Sequence, residues 1–271
     1  MRLGLIGLGT MGAAIARRIS SHIDVYGYDP YQESVDLGAG KRVESYDALL
    51  EAADCFLMLV PAGSAVDEAI NEIVSRAEKR VILIDGGNSN FLDSLRRHRE
   101  ISEQGHAFLD TGISGGMKGE QRGYSVMVGG DTDVYQDVEP VFKAIAAENG
   151  YAHVGPAGAG HYVKMIHNGI EYALLQAYAE GFHLLREGRY KDLDLEQISH
   201  IWQNGAIVDS FILHLISQVM QGDQGCEAVS GEIAEGGTGR WTIEEGFEQG
   251  VPVHTIAQAL NIRYASQKSG G

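Results

Sequence analysis

The sequence predicts an α/β domain followed by an all-helical domain, on three observations. Through residue 155, short apolar runs of strand length alternate with longer segments whose apolar residues recur every three or four positions. That alternation is the pattern of a mostly parallel sheet with helices on both faces. From Gly155-Pro156 onward the strand-like runs stop and helical spacing takes over. Glycine makes up 36 of the 271 residues, about double its usual share of roughly 7%, so tight turns or close backbone approaches are needed many times over. Proline, at 5, is too scarce for a low-complexity Pro/Gly chain. The expected domains are 1–155 and 156–271.

Strands are expected at Leu3–Ile6, Val25–Tyr28, Cys55–Val60, Val81–Asp85 and Ala107–Asp110, each a compact apolar run. Helices are expected between them at Ala13–Ile19, Ala65–Ala77 and Leu92–Ser102. Two further short strands, Ser125–Val128 and Ala152–Val154, flank a helix-like stretch at Val134–Ala147. In the second domain the helical segments are His161–Leu185, Leu195–Trp202, Phe211–Met220 and Val253–Tyr264. Phe211–Met220 carries apolar pairs at 211/212, 215/216 and 219/220 and reads as a core or interface helix. Gly222–Gly239, rich in glycine and acids, reads as a loop.

Composition excludes several classes. Lys plus Arg is 21 against 37 Asp plus Glu, a formal net charge of −16. That speaks against a nucleic-acid or anionic-membrane partner, which would call for a basic surface. Cys55 and Cys226 make neither a disulfide framework nor a metal-binding set. No apolar run approaches the roughly 20 residues of a membrane span. The chain runs from Met1 directly into a strand, so no signal peptide is expected and the cytoplasm is the expected compartment.

Gly7-Leu8-Gly9-Thr10-Met11-Gly12 follows the first strand and opens the first helix. This is G-x-G-x-x-G in its confirming context. Its glycines permit a tight turn and let a pyrophosphate approach the backbone at a helix N-terminus. The first domain is therefore a Rossmann-type dinucleotide-binding domain, although a plain βα turn would also use glycine. Asp29 ends the second strand at the expected distance. A carboxylate there accepts from a ribose 2′-hydroxyl and repels a 2′-phosphate, which favours NAD over NADP. A surface turn at Asp29-Pro30 is the alternative. Val60, Pro61 and Ala62 end the next strand, at the rim where such sheets bind ligands. Asp85-Gly86-Gly87-Asn88-Ser89 offers paired glycines and an amide for nicotinamide and substrate, or a helix cap. Ser114, Gly115 and Gly116 offer a hydroxyl and N–H groups to an anion.

Within Gly160–Tyr172, Lys164, His167, Asn168 and Glu171 fall on one helical stripe at 3.6-residue periodicity. Val163, Ile166, Ile170 and Leu174 form an apolar face beside them. A solvated lysine–glutamate pair is the plain alternative for this stripe.

Gly-Leu-Gly-x-Met-Gly, Asp-Gly-Gly-Asn-Ser, Ser-Gly-Gly and Lys-Met-Ile-His-Asn-Gly-Ile-Glu-Tyr occur in that order. With Gly237–Thr242 and Gly250–Val253 through Arg263, the chain resembles the 6-phosphogluconate dehydrogenases in their shorter form, over nearly its whole length. Hydroxyisobutyrate-type β-hydroxyacid dehydrogenases share the glycine motif but typically carry Ser-Thr in place of Gly-Asn-Ser, and Asn-Asn after the lysine.

The resemblance implies oxidation of 6-phosphogluconate at C3 followed by loss of CO2, with no metal. Lys164 would be the general base, made neutral by burial or nearby positive charge. Glu171 would be the acid that protonates the enediol. Asn88, Ser114, Gly115, Gly116, His167 and Asn168 would hold the substrate's hydroxyls and carboxylate, and Tyr172, Arg240 and Arg263 its phosphate. A homo-oligomer, dimer or tetramer, is implied. The family's C-terminal tail, which adds cations to the partner's phosphate site, does not follow Arg263, so weakened phosphate binding is expected. Two other readings stay open: a non-decarboxylating β-hydroxyacid dehydrogenase and a non-catalytic cofactor-binding protein.

Overall fold

The computed structural model describes residues 1–32, 34–225 and 228–269. The elements run β1 (Arg2–Ile6), α1 (Thr10–Ile19), β2 (Asp24–Tyr28), β3 (Lys41–Arg42), α2 (Tyr46–Ala52), β4 (Cys55–Met58) and α3 (Ser64–Val74). They continue with β5 (Ile82–Asp85), α4 (Phe91–Glu103), β6 (Ala107–Ser114), a 3-10 turn (Gly116–Lys118) and α5 (Gly119–Arg122). Next come β7 (Tyr124–Gly130), α6 (Thr132–Ile145), β8 (Ala146–Gly155) and α7 (Ala159–Glu187). The chain closes with α8 (Leu195–Trp202), α9 (Phe211–Met220), α10 (Thr238–Glu248) and α11 (His254–Ser269). Residues Met1–Met165 and Ile166–Gly271 form two compact units. The break falls inside α7, beyond the expected position at Gly155-Pro156.

In the first unit eight strands form one sheet, ordered β3-β2-β1-β4-β5-β6-β7-β8. All pairings are parallel except β6 with β7. Strand β4 shows why its sequence reads as an unbroken apolar run. Cys55 and Leu57 face one core, with Ile15 and Ile19 of α1 and Val138 and Phe142 of α6. Phe56 and Met58 face the other, with Leu49 of α2 and Val66 and Ile70 of α3. A strand covered on both faces has no polar side to alternate with. The strand order reverses at β1/β4, and ligands of such sheets sit at that switch point, beyond the carboxyl ends of the strands.

Several elements depart from expectation. Strand β4 ends at Met58, short of Val60; Leu59 N–H still donates to Ile6 O at 2.7 Å, and Pro61, with no N–H, follows in the loop. Strand β8 begins at Ala146, well before Ala152, and α6 correspondingly ends at Ile145. Its first half, Ala-Ala-Glu-Asn-Gly, has no large apolar residue and lies at the sheet edge, so it gives no strong apolar signal. Helix α2 was too short for periodicity to reveal; Ser45 caps it by accepting from Ala48 N–H at 3.1 Å.

In the second unit, Phe182, Leu195, Leu213 and Met220 form a small core from α7, α8 and α9. Helix α9 is half core: Leu213 and Met220 are buried, while Phe211, Leu215 and Val219 are exposed. The apolar stripe of α7 is likewise solvent-facing at Val163, Ile170 and Leu174. Helix α10 begins at Thr238, inside the expected Gly222–Gly239 loop. Cys226 lies outside the described residues. Among the described residues, no helix is long and apolar enough to cross a membrane.

Candidate active site

A cleft lies beyond the carboxyl ends of β1, β2, β4 and β5. Gly7, Gly9, Thr10, Met11, Gly12, Asp29, Val60, Pro61, Gly86, Gly87 and Asn88 all line it. Gly7 has φ +90°, and a Cβ on Gly12 would collide with the Gly7 carbonyl oxygen. The turn and the helix start therefore lock together only as glycines. Gly9 caps α1 with its backbone alone, and a Cβ there would meet nothing within 4 Å. The first-turn N–H groups of α1 thus face a bare approach, the arrangement that receives a pyrophosphate.

Asp29 sits at the lip of β2, 7% exposed. Its Oδ2 accepts from Leu8 N–H at 2.7 Å and its Oδ1 from Tyr31 N–H at 2.8 Å. A carboxylate has about four acceptor positions, so capacity for a ribose hydroxyl remains. The structure gives Leu8 a different part from the expected one. Its side chain is buried in the core and its N–H is spent on Asp29, so it acts by fixing the loop. Ala62 does not line the cleft. Tyr46 does, and burial, with Tyr28 nearby, pushes its hydroxyl up to about 12, leaving a neutral donor.

The turn after β5 is held from within. Asp85 is fully buried; its Oδ1 accepts from Gly87 N–H at 3.0 Å and its Oδ2 from Ser89 Oγ at 2.8 Å. Asn88 takes the left-handed conformation at φ +53°. Its Oδ1 accepts from Ile113 N–H at 3.2 Å, which ties the turn to the end of β6. Ser114 follows directly. Gly115 and Gly116 then turn the chain with φ +142° and +54°.

Lys164 meets the same strand. It is 6% exposed, and a Cβ on Gly112 of β6 would collide with it. The start of α7 is fixed by Asp110, also fully buried. Its Oδ1 accepts from Gly158 N–H at 2.6 Å and its Oδ2 from His161 N–H at 2.8 Å. A carboxylate there satisfies orphan donors and is favoured by the positive end of the helix dipole. Lys164, Asn88 and Ser114 therefore converge on one end of β6.

In the second unit, α7 continues with His167, Asn168, Glu171 and Tyr172. His167 Nδ1 lies 3.1 Å from Asn168 Oδ1 and 4.0 Å from Glu171 Oε2. Asn168 Nδ2 donates to Thr238 Oγ1 of α10 at 3.2 Å. The Arg263 guanidinium stacks 3.6 Å above the Tyr172 ring and donates to Ala234 O at 2.9 Å. Arg240 is exposed, with its Nε 3.7 Å from Glu244 Oε1. The fold thus brings Arg263 and Tyr172 together, while Arg240 is near Glu244.

Sequence reading missed three supports: Arg97, Asp110 and the Arg17–Arg18 pair. Arg17 makes a two-bond contact with Glu120 at 2.7 Å, and Arg18 reaches Glu120 O, Ile145 O and Ala146 O. Together they fasten the segment after Gly116 to α1. Nothing in their local sequence distinguishes them from solvated helix charges.

The family model for the NAD-binding domain of 6-phosphogluconate dehydrogenase matches residues 2–155, and that for its C-terminal domain matches residues 160–270. The chain belongs to this family. A relative from Haloferax volcanii, an NAD(+)-dependent, decarboxylating 6-phosphogluconate dehydrogenase, is 42% identical over 98% of this chain and 91% of its own length. An enzyme of the same name from Bacillus subtilis is 34% identical over 97% of the chain, which spans 61% of that protein. Among solved structures, Plasmodium falciparum 6-phosphogluconate dehydrogenase superposes with a TM-score of 0.87 at 28% identity, covering 99% of this chain and 62% of its own. Mycobacterium tuberculosis 3-hydroxyisobutyrate dehydrogenase, at 21% identity and TM-score 0.78 over 99% of this chain and 94% of its own, shares the fold.

Proposed function

We infer that the chain catalyses the NAD-dependent oxidative decarboxylation of 6-phosphogluconate to ribulose 5-phosphate and CO2. The observation that carries this reading is the buried Lys164 against β6, beside the Asn88 turn, on the helix that also bears His167, Asn168 and Glu171. Residues 1–155 serve as the nucleotide-binding domain and 156–271 as the substrate domain.

The glycine cradle fits a dinucleotide, because Gly7 and Gly12 pack too tightly against neighbouring backbone to carry a Cβ, while the space over Gly9 at the start of α1 is open. Gly7, Gly9, Thr10, Met11 and Gly12 hold the pyrophosphate, Asp29 the ribose, and Val60, Pro61 and Asn88 the nicotinamide half. Bound there, NAD supplies the hydride acceptor. Lys164 takes the C3 hydroxyl proton during oxidation, leaving a β-keto acid. As the carboxylate carbon leaves as CO2, its bonding electrons pass to the former C3 carbonyl. Lys164 returns the proton to that oxygen, giving an enediol. Glu171 then protonates C1 of the enediol, and Lys164 recovers its proton as the ketone forms. No metal is required, because the carbonyl is itself the electron sink.

Ser114, Gly115, Gly116, Asn88, His167 and Asn168 hold the hydroxyls and carboxylate, and Tyr172, Arg240 and Arg263 the phosphate. Stacking on Tyr172 orients the Arg263 fork for bidentate contact. The chain works in the cytoplasm as a homo-oligomer. The test is an assay with 6-phosphogluconate and either NAD or NADP, following reduced cofactor and CO2 together. Equal yields of both products with NAD support the reading. Oxidation without CO2 sinks it in favour of a simple β-hydroxyacid dehydrogenase.

A further inference from the structure

We propose that Arg97 is a positioning residue that sets the gap between the two loops walling the nicotinamide end of the cleft. The proposal rests on reading that cleft as a dinucleotide site. Arg97 lies on α4 and is 1% exposed. Its Nε donates to Asp67 Oδ1 at 2.8 Å and its Nη2 to Gly63 O at 2.9 Å. Its Nη1 donates to Asp85 Oδ2 and to Ser89 Oγ, both at 3.1 Å. Gly63 closes the Val60–Gly63 loop after β4, and Asp67 stands in the first turn of α3 that follows it. Asp85 and Ser89 bracket the Gly86-Gly87-Asn88 turn after β5.

One planar cation therefore spans both walls. The glycine loop at β1 takes the pyrophosphate and Asp29 marks the adenosine ribose at β2. The loops after β4 and β5 consequently face the other half of the dinucleotide. Stability alone does not call for this arrangement, since an apolar side chain of similar size often serves a core as well as a buried ion pair. What the guanidinium adds is direction. Its fixed fork addresses a loop carbonyl and a loop hydroxyl at once, which a lysine ammonium on a flexible stem does not reproduce.

The test uses Arg97→Lys and Ser89→Ala. Ser89→Ala removes one link to the turn and leaves the Arg97–Asp85 pair in place. Thermal stability, affinity for NADH, affinity for ADP-ribose, and kcat are measured for both. ADP-ribose reads only the β1–β2 half of the cleft. The expected result for folded Arg97→Lys is unchanged ADP-ribose affinity, NADH binding about tenfold weaker, and kcat lower by up to about 10²-fold, the cost of misplacing a reacting group by about 1 Å. Ser89→Ala shifts the same two quantities in the same direction, by less. Wild-type NADH affinity and kcat in either folded variant overturn the proposal, as does equal weakening of both ligands. Should Arg97→Lys not fold, Ser89→Ala decides alone. A wild type that binds neither ligand overturns the dinucleotide reading, and this proposal with it. A wild type that binds both but leaves 6-phosphogluconate untouched overturns only the substrate assignment, and the ligand comparison still decides for Arg97.

Discussion

Gly112 of β6 and Lys164 of α7 touch so closely that no side chain fits between them. A Cβ on Gly112 would collide with Lys164 Cβ and come within 2.8 Å of Gly160 O and 3.0 Å of Lys164 Cγ. Sheet and helix meet at the residue assigned as the base. Gly112→Ala must push the helix away. It is expected to cost about 1–3 kcal/mol of stability, as overpacking does, and to lower kcat in the fraction that remains folded. Chemical denaturation and active-site-normalised turnover check the two parts, and an unchanged kcat would show that this contact does not place the lysine.

Lys164→Met keeps the length of the side chain and removes its proton chemistry. Turnover of 6-phosphogluconate should fall by about 10²–10⁴-fold, the usual weight of a general base. NADH affinity should stay as in the wild type, which titration of NADH fluorescence reports.

Glu171→Ala should separate the two halves of the reaction. Glu171 lies 4.0 Å from His167 on the same helix, and its side chain is 42% exposed, open to an incoming ligand. In single turnovers, release of ribulose 5-phosphate should slow more than formation of NADH. Equal slowing of both steps would remove the acid role from this residue.

Asp29→Ser, combined with an arginine in place of Tyr31, should move preference from NAD toward NADP. The loss of one charge-assisted hydrogen bond, about 1.5–3 kcal/mol, corresponds to about a 10–100-fold drop in kcat/KM for NAD. The structure adds a second effect. Asp29 also receives Leu8 N–H, so part of the loss should appear with both cofactors. An unchanged NAD/NADP ratio would remove Asp29 as the discriminator.

Acid should loosen the support beneath the cleft. Burial, the largest single influence on the Asp67 carboxyl, pushes its pKa up, but hydrogen bonds and charge from Arg97 and Arg96 together outweigh it and hold the group below its ordinary value. A carboxyl with a lowered folded-state pKa stabilises the fold above its unfolded value and loses that contribution as pH falls through the folded value. The affected window lies below about pH 4. Asp67→Asn should therefore flatten the acid limb of the melting temperature against pH, while changing that limb little would mean the pair contributes nothing.

Much of this was legible in the sequence. Strands buried on both faces, such as Cys55–Met58, must be apolar throughout, and α1 must open on glycines because Gly12 abuts the Gly7 carbonyl. Periodicity on α7 was enough to put Lys164, His167, Asn168 and Glu171 on one stripe, because the spacing of a regular helix is fixed by its hydrogen bonds. Short elements, or ones without large apolar residues, escaped: β3 has two residues, α2 seven, and the first half of the edge strand β8 is Ala-Ala-Glu-Asn-Gly. None of them needs an apolar period.

What tertiary structure alone decided is which charges carry weight. Arg96 and Arg97 are neighbours in sequence, yet the side chain of one is 38% exposed and that of the other 1%. Asp85 and Asp110 look like ordinary strand ends until the fold buries one as the clasp of the Asn88 turn and the other as the cap of α7. Arg263 finds Tyr172 only because α11 returns beside α7. A charged residue carries no local signal of its partner. Its role is set by the low-dielectric contacts that packing creates between segments distant in sequence, whereas a glycine turn or a helical stripe is set by its immediate neighbours.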